Sequence, residues 1–525
     1  MPADMPAIQT HNLTKTFEQL VAVDKVSFDV RKGEILALLG ENGSGKTTLM
    51  NMLFGIYFPD SGRIEADGKE VTIRSPKDAH DLGIGMVHQH FKLVDTFTAA
   101  ENVVLGLRGK FFLDRKSSIA EIREISKRYG FELDPEKKIY NMSISEKQTV
   151  EIVKVLYRGA ETLILDEPTA VLTPQESERL FATLRNMKED GKSIVLITHK
   201  LQEVLSVSDR VHVLRKGKSV ATVNTSNTNR QELTDMMVGR AVSLEIDRPI
   251  TENKNDRLLV KDLSCLTPDG VKALKEVSFT LKSGEILGVA GIAASGQKEL
   301  CEALTGLYTV SGGSVLLCNS ETGQTTDIIG KTPKEIFDLG VKMGFVPEDR
   351  FGMGLVANMD MTDNVMLRYY DKGKGLFVDR KSSKNMAQEL INRLEIVTPG
   401  ISTPIRRLSG GNVQKVLLGR EIASEPQVLI VSYPARGLDI NSSHVVYDLI
   451  NEQKSNGVAV LFIGEDLDVL LELADRIMVL CGGQVSGIVD ATKTTKEEIG
   501  LMMTHVASSL PADNEGNNVT GQEVT

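Results

Sequence analysis

A chain of 525 residues, 41% hydrophobic and 25% charged, has an ordinary soluble composition with room for two or more domains, each able to bury a sizeable core. Sixty-one basic against 71 acidic residues leave a net charge of −10, which excludes a global electrostatic footprint for nucleic acid or anionic lipid and leaves only local basic patches open. The four cysteines, Cys265, Cys301, Cys318 and Cys481, fall in the second half with neither CxxC spacing nor a histidine companion, so a reducing compartment is expected rather than a metal centre.

The start, MPADMPAIQTHNLTKTF, has no basic segment followed by an apolar one, and nowhere does an uninterrupted apolar run approach the roughly 18 residues of a membrane span. Any membrane role is expected to be peripheral. Residues 25–40, KVSFDVRKGEILALLG, return as EVSFTLKSGEILGVAG at 276–291, and Asp209–Arg210 returns as Asp475–Arg476 after a short insertion in the second copy. Such self-similarity predicts two duplicate domains, at 7–242 and 258–506. The segment 243–257 is polar, contains Pro249 and has no helical or strand period, so it reads as a linker; the tail 507–525 is predicted to be disordered. Short apolar runs such as EILALL (34–39), TLILD (162–166) and SIVLIT (193–198) alternate with helical periodicity, as over 175–189. This is the pattern of an α/β fold with buried parallel strands under covering helices.

The first copy carries GENGSGKTT, Gly40, Glu41, Asn42, Gly43, Ser44, Gly45, Lys46, Thr47 and Thr48, directly after a predicted strand and before a helical pattern. That is the context of a phosphate-binding loop. Glycines let several backbone amides point at one anion, Lys46 adds charge toward the β and γ phosphates, and the Thr47 hydroxyl suits Mg²⁺. A glycine-rich turn that binds nothing is the alternative. Asp166 and Glu167 end the strand TLILD, where a carboxylate pair has little structural use unless a cation approaches. Asp166 suits a Mg²⁺ shell and Glu167 the orientation and deprotonation of water; two solvated strand-end acids are the alternative. His199 ends a further strand, suited to a γ-phosphate or the lytic water, or else simply half exposed.

In order and spacing these pieces resemble the ATP-binding cassette (ABC) ATPases, and the resemblance covers nearly the whole chain twice. It implies two tandem P-loop NTPase domains, each a mainly parallel sheet core with an antiparallel β subdomain and a helical subdomain, using ATP and Mg²⁺. It implies that Gln89 links metal and water to a transmembrane partner and that Phe17 stacks on adenine, although Phe17 could equally belong to the core. His88 and His90 flank Gln89 without an acidic or cysteine companion, so they are not expected to hold a metal. The family's signature, Leu-Ser-Gly-Gly-Gln, contacts the γ-phosphate across a dimer. Here the first copy has Met142, Ser143, Ile144, Ser145 and Glu146, whereas the second has Leu408, Ser409, Gly410, Gly411 and Asn412.

Aligned copy on copy, Lys46 stands against Gln297, Gln89 against Glu348, Asp166 against Ser432, Glu167 against Tyr433 and His199 against Glu465. The second copy has lost its nucleotide chemistry. Loss of the lysine removes a charge-assisted contact of about 1.5 to 3 kcal/mol, and loss of a base costs about 10² to 10⁴ in rate. The first copy has lost its signature and carries Thr173 where the second has the D-loop acid Asp439. The resemblance implies an intramolecular head-to-tail pairing of the two domains. Gly40–Thr48, Asp166, Glu167 and His199 would then meet Ser409, Gly411 and Asp439 in one hydrolytic site, and every departure would collect in one degenerate site, which the second loop, GIAASGQK (291–298), closes as a structural lip.

A full first copy, a depleted second copy with Leu-Ser-Gly-Gly-Asn, and FVPEDR at 345–350 are similar to the ATPases of bacterial monosaccharide and nucleoside importers. The segment GMVHQHFKLVDTFTAAENVVLG (85–106) favours the nucleoside branch; the pair Ser432–Tyr433 departs from the more usual Ala-Gln. The resemblance implies two transmembrane permeases docking near Gln89 and Glu348, an extracytoplasmic substrate-binding lipoprotein acting indirectly, no nucleic acid partner, and a place at the cytoplasmic face of the bacterial plasma membrane. Alternatives are a ribose or galactose importer, a soluble tandem cassette acting on ribosome or DNA, and a nucleotide sensor with negligible turnover. The second of these lacks its usual two competent sites and basic or coiled insertion, and intact Asp166, Glu167 and His199 speak against the third.

Overall fold

The run Ile35–Leu39 is buried at every position, so it needs cover on both faces, as a central parallel strand does. In the computed structural model of the chain it pairs in parallel with Ser193–Thr198 and Arg210–Arg215. The structure describes residues 6–504 apart from 19, 90, 108–114, 171, 241–245, 252–254, 319–323, 340–341 and 371–377. His90, the predicted tail 507–525 and parts of the predicted linker lie outside the described residues. The chain divides into two units, Met1–Glu245 with Ala435–Val445, and Ile246–Pro434 with Val446–Thr525.

In the first unit the main sheet runs Lys218–Asn224, Arg210–Arg215, Ile35–Leu39, Ser193–Thr198, Thr162–Asp166, Ile84–Val87. All neighbours are parallel except the outer pair Arg210–Arg215 with Lys218–Asn224. A second, antiparallel sheet forms around the long strand Pro6–Phe17, which pairs with Leu20–Val26, Asp29–Arg31 and Ser61–Ala66. The helices Ala99–Val104, Arg115–Tyr129 and Ile144–Tyr157 close a separate small core on Val103, Ile122, Ile139, Val150 and Val153. The helix expected over 175–189 is Pro174–Glu189, opened by a Thr173 capping box with Glu176.

The second unit repeats each part. Its main sheet runs Met343–Val346, Val428–Ser432, Ala459–Ile463, Ile286–Gly291, Arg476–Cys481, Gln484–Asp490, again antiparallel only at the last pair. Its antiparallel sheet starts at Asp256, paired with Lys282, so the first strand reaches two residues into the segment read as linker. The helices Met361–Met366, Arg380–Arg393 and Gly410–Ile422 are its helical part.

The repeated Asp-Arg pair has a physical reason. Asp209 accepts the Ile35 N–H at 2.9 Å and the Lys188 ammonium at 2.5 Å, while Arg210 pairs with buried Glu34 at 3.2 Å. Asp475 accepts the Ile286 N–H at 2.9 Å and the Lys454 ammonium at 3.0 Å, and Arg476 pairs with buried Glu285 at 2.6 Å. A buried carboxylate needs a paired cation, and both units use the same one to fix the strand that leads into the phosphate loop.

Candidate functional site

The strand Ile35–Leu39 gives way at Gly40 to a turn that ends at Gly45, where the helix Lys46–Leu53 begins. Gly45 has φ 99°, and a Cβ there would stand 2.5 Å from the Ala22 carbonyl, so no other residue fits. Lys46 is only 6% exposed. Its ammonium folds back to donate to the carbonyls of Gly40 at 2.7 Å and Glu41 at 2.9 Å, and burial holds its pKa below the usual lysine value. The Ser44 hydroxyl is buried with no hydrogen-bond partner. Around Gly43 the space for a Cβ is open, Thr47 is exposed and Thr48 half-buried on the first turn. A buried cation, an orphaned hydroxyl and a helix N-terminus with no acidic residue in its first turn fit a polyphosphate.

The parallel strands bring the reacting side chains together, because neighbours in such a sheet end on the same side. Thr162–Asp166 lies between Ser193–Thr198 and Ile84–Val87, which deliver His199 and Gln89 to either side of Glu167. Gln89 donates from Nε2 to one carboxylate oxygen of Glu167 at 2.9 Å, and His199 Nδ1 lies 2.9 Å from the other. Glu167 itself adopts φ 47°, a left-handed conformation unfavourable for a side chain with a Cβ. The His199 hydrogen bond holds the Glu167 carboxyl below its ordinary pKa, against the opposing effect of burial. Asp166, 6% exposed, is pushed up to about 6 by burial and the adjacent Glu167 charge, with Lys46 opposing. Two neighbouring carboxyls with opposite shifts suit different tasks. Glu167 stays anionic, and the buried Asp166 carboxylate suits a cation.

Phe17 is 38% exposed, not core. It meets Tyr57 edge-on at 5.1 Å, and the Lys15 ammonium lies 5.7 Å from its ring centre. Lys15 and Tyr57 were not singled out from the sequence; the two-residue spacing of Lys15 and Phe17 on one strand, which puts them on one face, was the available signal. His88 is half-buried and meets the Phe54 ring at 5.9 Å.

The second unit keeps the loop and changes its chemistry. Gly296 opens the helix Gln297–Leu304 at φ 103°, and the Gln297 amide, 3% exposed, donates to the Ile292 carbonyl at 3.1 Å. Ser432 is buried, and burial pushes the pKa of the Cys301 thiol up to about 12, with Ser432 opposing. Tyr433 keeps the φ of 47° found at Glu167. Glu299 sits in the first turn of the helix.

The two signature turns differ in the opposite sense. Ser143 and Glu146 form a reciprocal capping box, and Lys137 donates to Glu146 at 2.6 Å, so the helix Ile144–Tyr157 already carries its own anion at its N-terminus. Ser409 caps Gly410–Ile422 with no acidic residue in the first turn. The Asn412 side chain donates to the Ser409 hydroxyl at 2.8 Å and accepts the Val397 N–H at 3.0 Å. Gly410 lies against Arg350, whose guanidinium would stand 3.5 Å from a Cβ at that position. Ser409, Gly410, Gly411 and Asn412 lie in the second unit, whereas Asp439 belongs to the first.

The ABC transporter family model matches residues 23–170 and 274–435. A nucleoside import ATP-binding protein of Lactococcus lactis is 44% identical over 95% of this chain and 98% of its own length. A guanosine import ATP-binding protein of Bacillus subtilis is 43% identical, covering 94% of this chain and 97% of its own. A ribose import ATP-binding protein of Streptomyces avermitilis is 38% identical, covering 94% and 92%.

Proposed function

The chain belongs to the ABC transporter family, and from that premise we propose that it energises nucleoside uptake through one working ATP pocket. It is the ATP-binding, ATP-hydrolysing subunit of an importer and works with membrane permeases. Among the described residues no helix is long and apolar enough to cross a membrane, in keeping with a peripheral subunit. Its place is the cytoplasmic face of the membrane, opposite an extracytoplasmic lipoprotein that captures the solute and hands it to two permeases.

In the working pocket the amides of Gly40–Thr48 and the Lys46 ammonium take the phosphates, and Phe17 offers an exposed face to adenine. Thr47, Asp166 and Gln89 would hold a magnesium ion, whose charge would offset that of the phosphate oxygens. Glu167 takes the proton of the attacking water. Gln89 and His199 occupy one acceptor site on each of its oxygens, which fixes the carboxylate plane and leaves further lone pairs for the water. On the second unit, Ser409 and Gly411 are assigned to nucleotide binding as well, at a helix N-terminus free of acidic residues.

One observation carries the single-pocket assignment. Of the four helix N-termini at the phosphate loops and signature turns, Gln297–Leu304 and Ile144–Tyr157 have an acidic residue in the first turn, Glu299 and Glu146, and Lys46–Leu53 and Gly410–Ile422 have none. A carboxylate there competes with a bound anion. The two acid-free ends are the first unit's phosphate loop and the second unit's signature turn, so each unit keeps one helix end suited to an anion.

The solute is tested by reconstituting the chain with its permeases and binding lipoprotein in vesicles and measuring ATP-driven uptake of guanosine and ribose, with Glu167→Gln as control. Guanosine uptake that is lost in the variant and not competed by ribose is expected. Uptake of ribose alone would establish the monosaccharide importer instead.

A further inference from the structure

A carboxylate taken out of water needs a cation and hydrogen bonds to be tolerated, and the first unit has one whose partners lie close in sequence to a reacting group. Glu151, on the helix Ile144–Tyr157, is 3% exposed. One of its oxygens accepts the backbone N–H of Lys92 at 2.5 Å, and the other meets the Lys154 ammonium at 2.5 Å. That ammonium also donates to the Lys92 carbonyl at 3.4 Å. Glu151 and Lys154, one turn apart on the helix, thus hold both backbone groups of a residue that stands three places after Gln89.

Two further contacts fasten the same stretch to the helices. Leu93 packs against the small core of Val103, Val150 and Val153, and the Asn102 side chain accepts the Val94 N–H at 2.7 Å and donates to the Val94 carbonyl at 3.1 Å. Of the three fastenings, that of Glu151 is nearest to Gln89, whose amide reaches across to Glu167 at the end of a sheet strand.

The second unit shows which of these bonds the fold itself requires. Asn364 accepts the Val356 N–H at 2.8 Å and donates to its carbonyl at 3.1 Å. Counted from the signature serines, Arg420 stands at the place of Lys154 and Leu417 at that of Glu151. Arg420 donates to the Gly354 carbonyl at 2.8 Å, as Lys154 does to that of Lys92. Leu417 is buried, and a Cβ at Gly354 would be 2.9 Å from its methyl. The carboxylate partner of Arg420 is Glu421, which accepts the Phe345 N–H in the sheet. The helical part therefore forms with a leucine at this place, and the unit that has a carboxylate there is the one that has Gln89 and Glu167.

We propose that Glu151 is a positioning residue for hydrolysis: its hold on the Lys92 N–H sets the segment that carries Gln89, and so the seat of the Gln89 amide on the Glu167 carboxylate. The inference rests on the reading of Glu167 as the base and Gln89 as its orienting neighbour. Alignment of the base is what the Gln89 donor supplies, so the loss falls on turnover more than on ATP binding, which the loop Gly40–Thr48 carries.

The test uses the full chain. Steady-state kcat from phosphate release and nucleotide binding by fluorescence titration are compared for wild type, Glu151→Leu, Glu151→Gln, Gln89→Ala and the double variant Glu151→Leu with Gln89→Ala. Leucine is the residue that the second unit carries at this place, so the core stays filled. Glu151→Leu is expected to lower kcat about ten- to a hundredfold, as a small misplacement of a reacting group does, with nucleotide affinity within about threefold. Glu151→Gln, whose side-chain oxygen still accepts the Lys92 N–H, is expected to recover most of kcat. In the Gln89→Ala background Glu151→Leu is expected to change kcat by less than about twofold, because a residue that acts through Gln89 has nothing left to place. Full additivity in that cycle, lost nucleotide binding, or a Gln variant no better than Leu would overturn the role. If Gln89→Ala turns over normally, the reading of Gln89 falls and the role of Glu151 with it; if Gln89→Ala is slow and Glu151→Leu is not, the role of Glu151 alone falls.

Discussion

The phosphate loops of the two units share a backbone and differ in what fills it. Gly45 and Gly296 start their helices at φ 99° and 103°, and the turn inside each loop is closed by the same bond, Ser44 N–H to Glu41 and Ser295 N–H to Ile292, both at 3.1 Å. In the first, a lysine ammonium leans on two carbonyls and a serine hydroxyl has no partner; in the second, a neutral amide bonds to one carbonyl. In both, the glycine that starts the helix lies against a neighbouring strand, Gly45 at the Ala22 carbonyl and Gly296 at the Ala273 carbonyl. Side chains alone decide whether that shape serves a nucleotide.

Pairs of substitutions sharpen this contrast. Largest is the base: Glu167→Gln should lower kcat by about 10² to 10⁴, while Tyr433→Ala at the matching place should change it by less than about twofold, both read by phosphate release. Equal losses would mean that both halves turn over. Next is the loop cation, where Lys46→Ala should weaken ATP binding about ten- to a hundredfold and Gln297→Ala should leave it within about threefold, by fluorescence titration. Third are the signature serines. Ser409→Ala should cost roughly tenfold in kcat, the value of one oriented donor to a charged group. Ser143→Ala, which removes a cap only, should cost about 1 kcal/mol of stability and show in thermal unfolding with turnover unchanged. Smallest is Phe17→Ala, expected to raise KM for ATP by a few-fold, as loss of one stacking face does.

Much of this was legible in the chain because the signals are local. Ile35–Leu39, Thr162–Asp166 and Ser193–Thr198 are apolar at nearly every position and are strands; the loop at 40–48 and the acids at 166–167 follow at fixed distances. The convergence of Gln89, Glu167 and His199 follows from strand order, which the periodicity does not carry; the family resemblance implied only the role of Gln89. What stayed hidden depends on contacts between distant stretches. Phe17 meeting Tyr57 edge-on joins residues well apart in the chain with no local mark. The π-type turn Arg350–Gly354, held by Asp349 accepting from Phe351 and Gly352, has no signature beyond FVPEDR. Glu146 read as damage to a motif; it is also half of a capping box, a local pattern that was available at Ser143 and missed.

Tyr433 occupies the same unfavourable backbone state as Glu167, and its N–H reaches Ile463 at 2.9 Å just as that of Glu167 reaches Ile197 at 2.9 Å. The second unit has the same bend with a tyrosine where the first has a carboxylate. An engineer wishing to rekindle it would inherit the costly curvature ready-made and would have only side chains left to exchange.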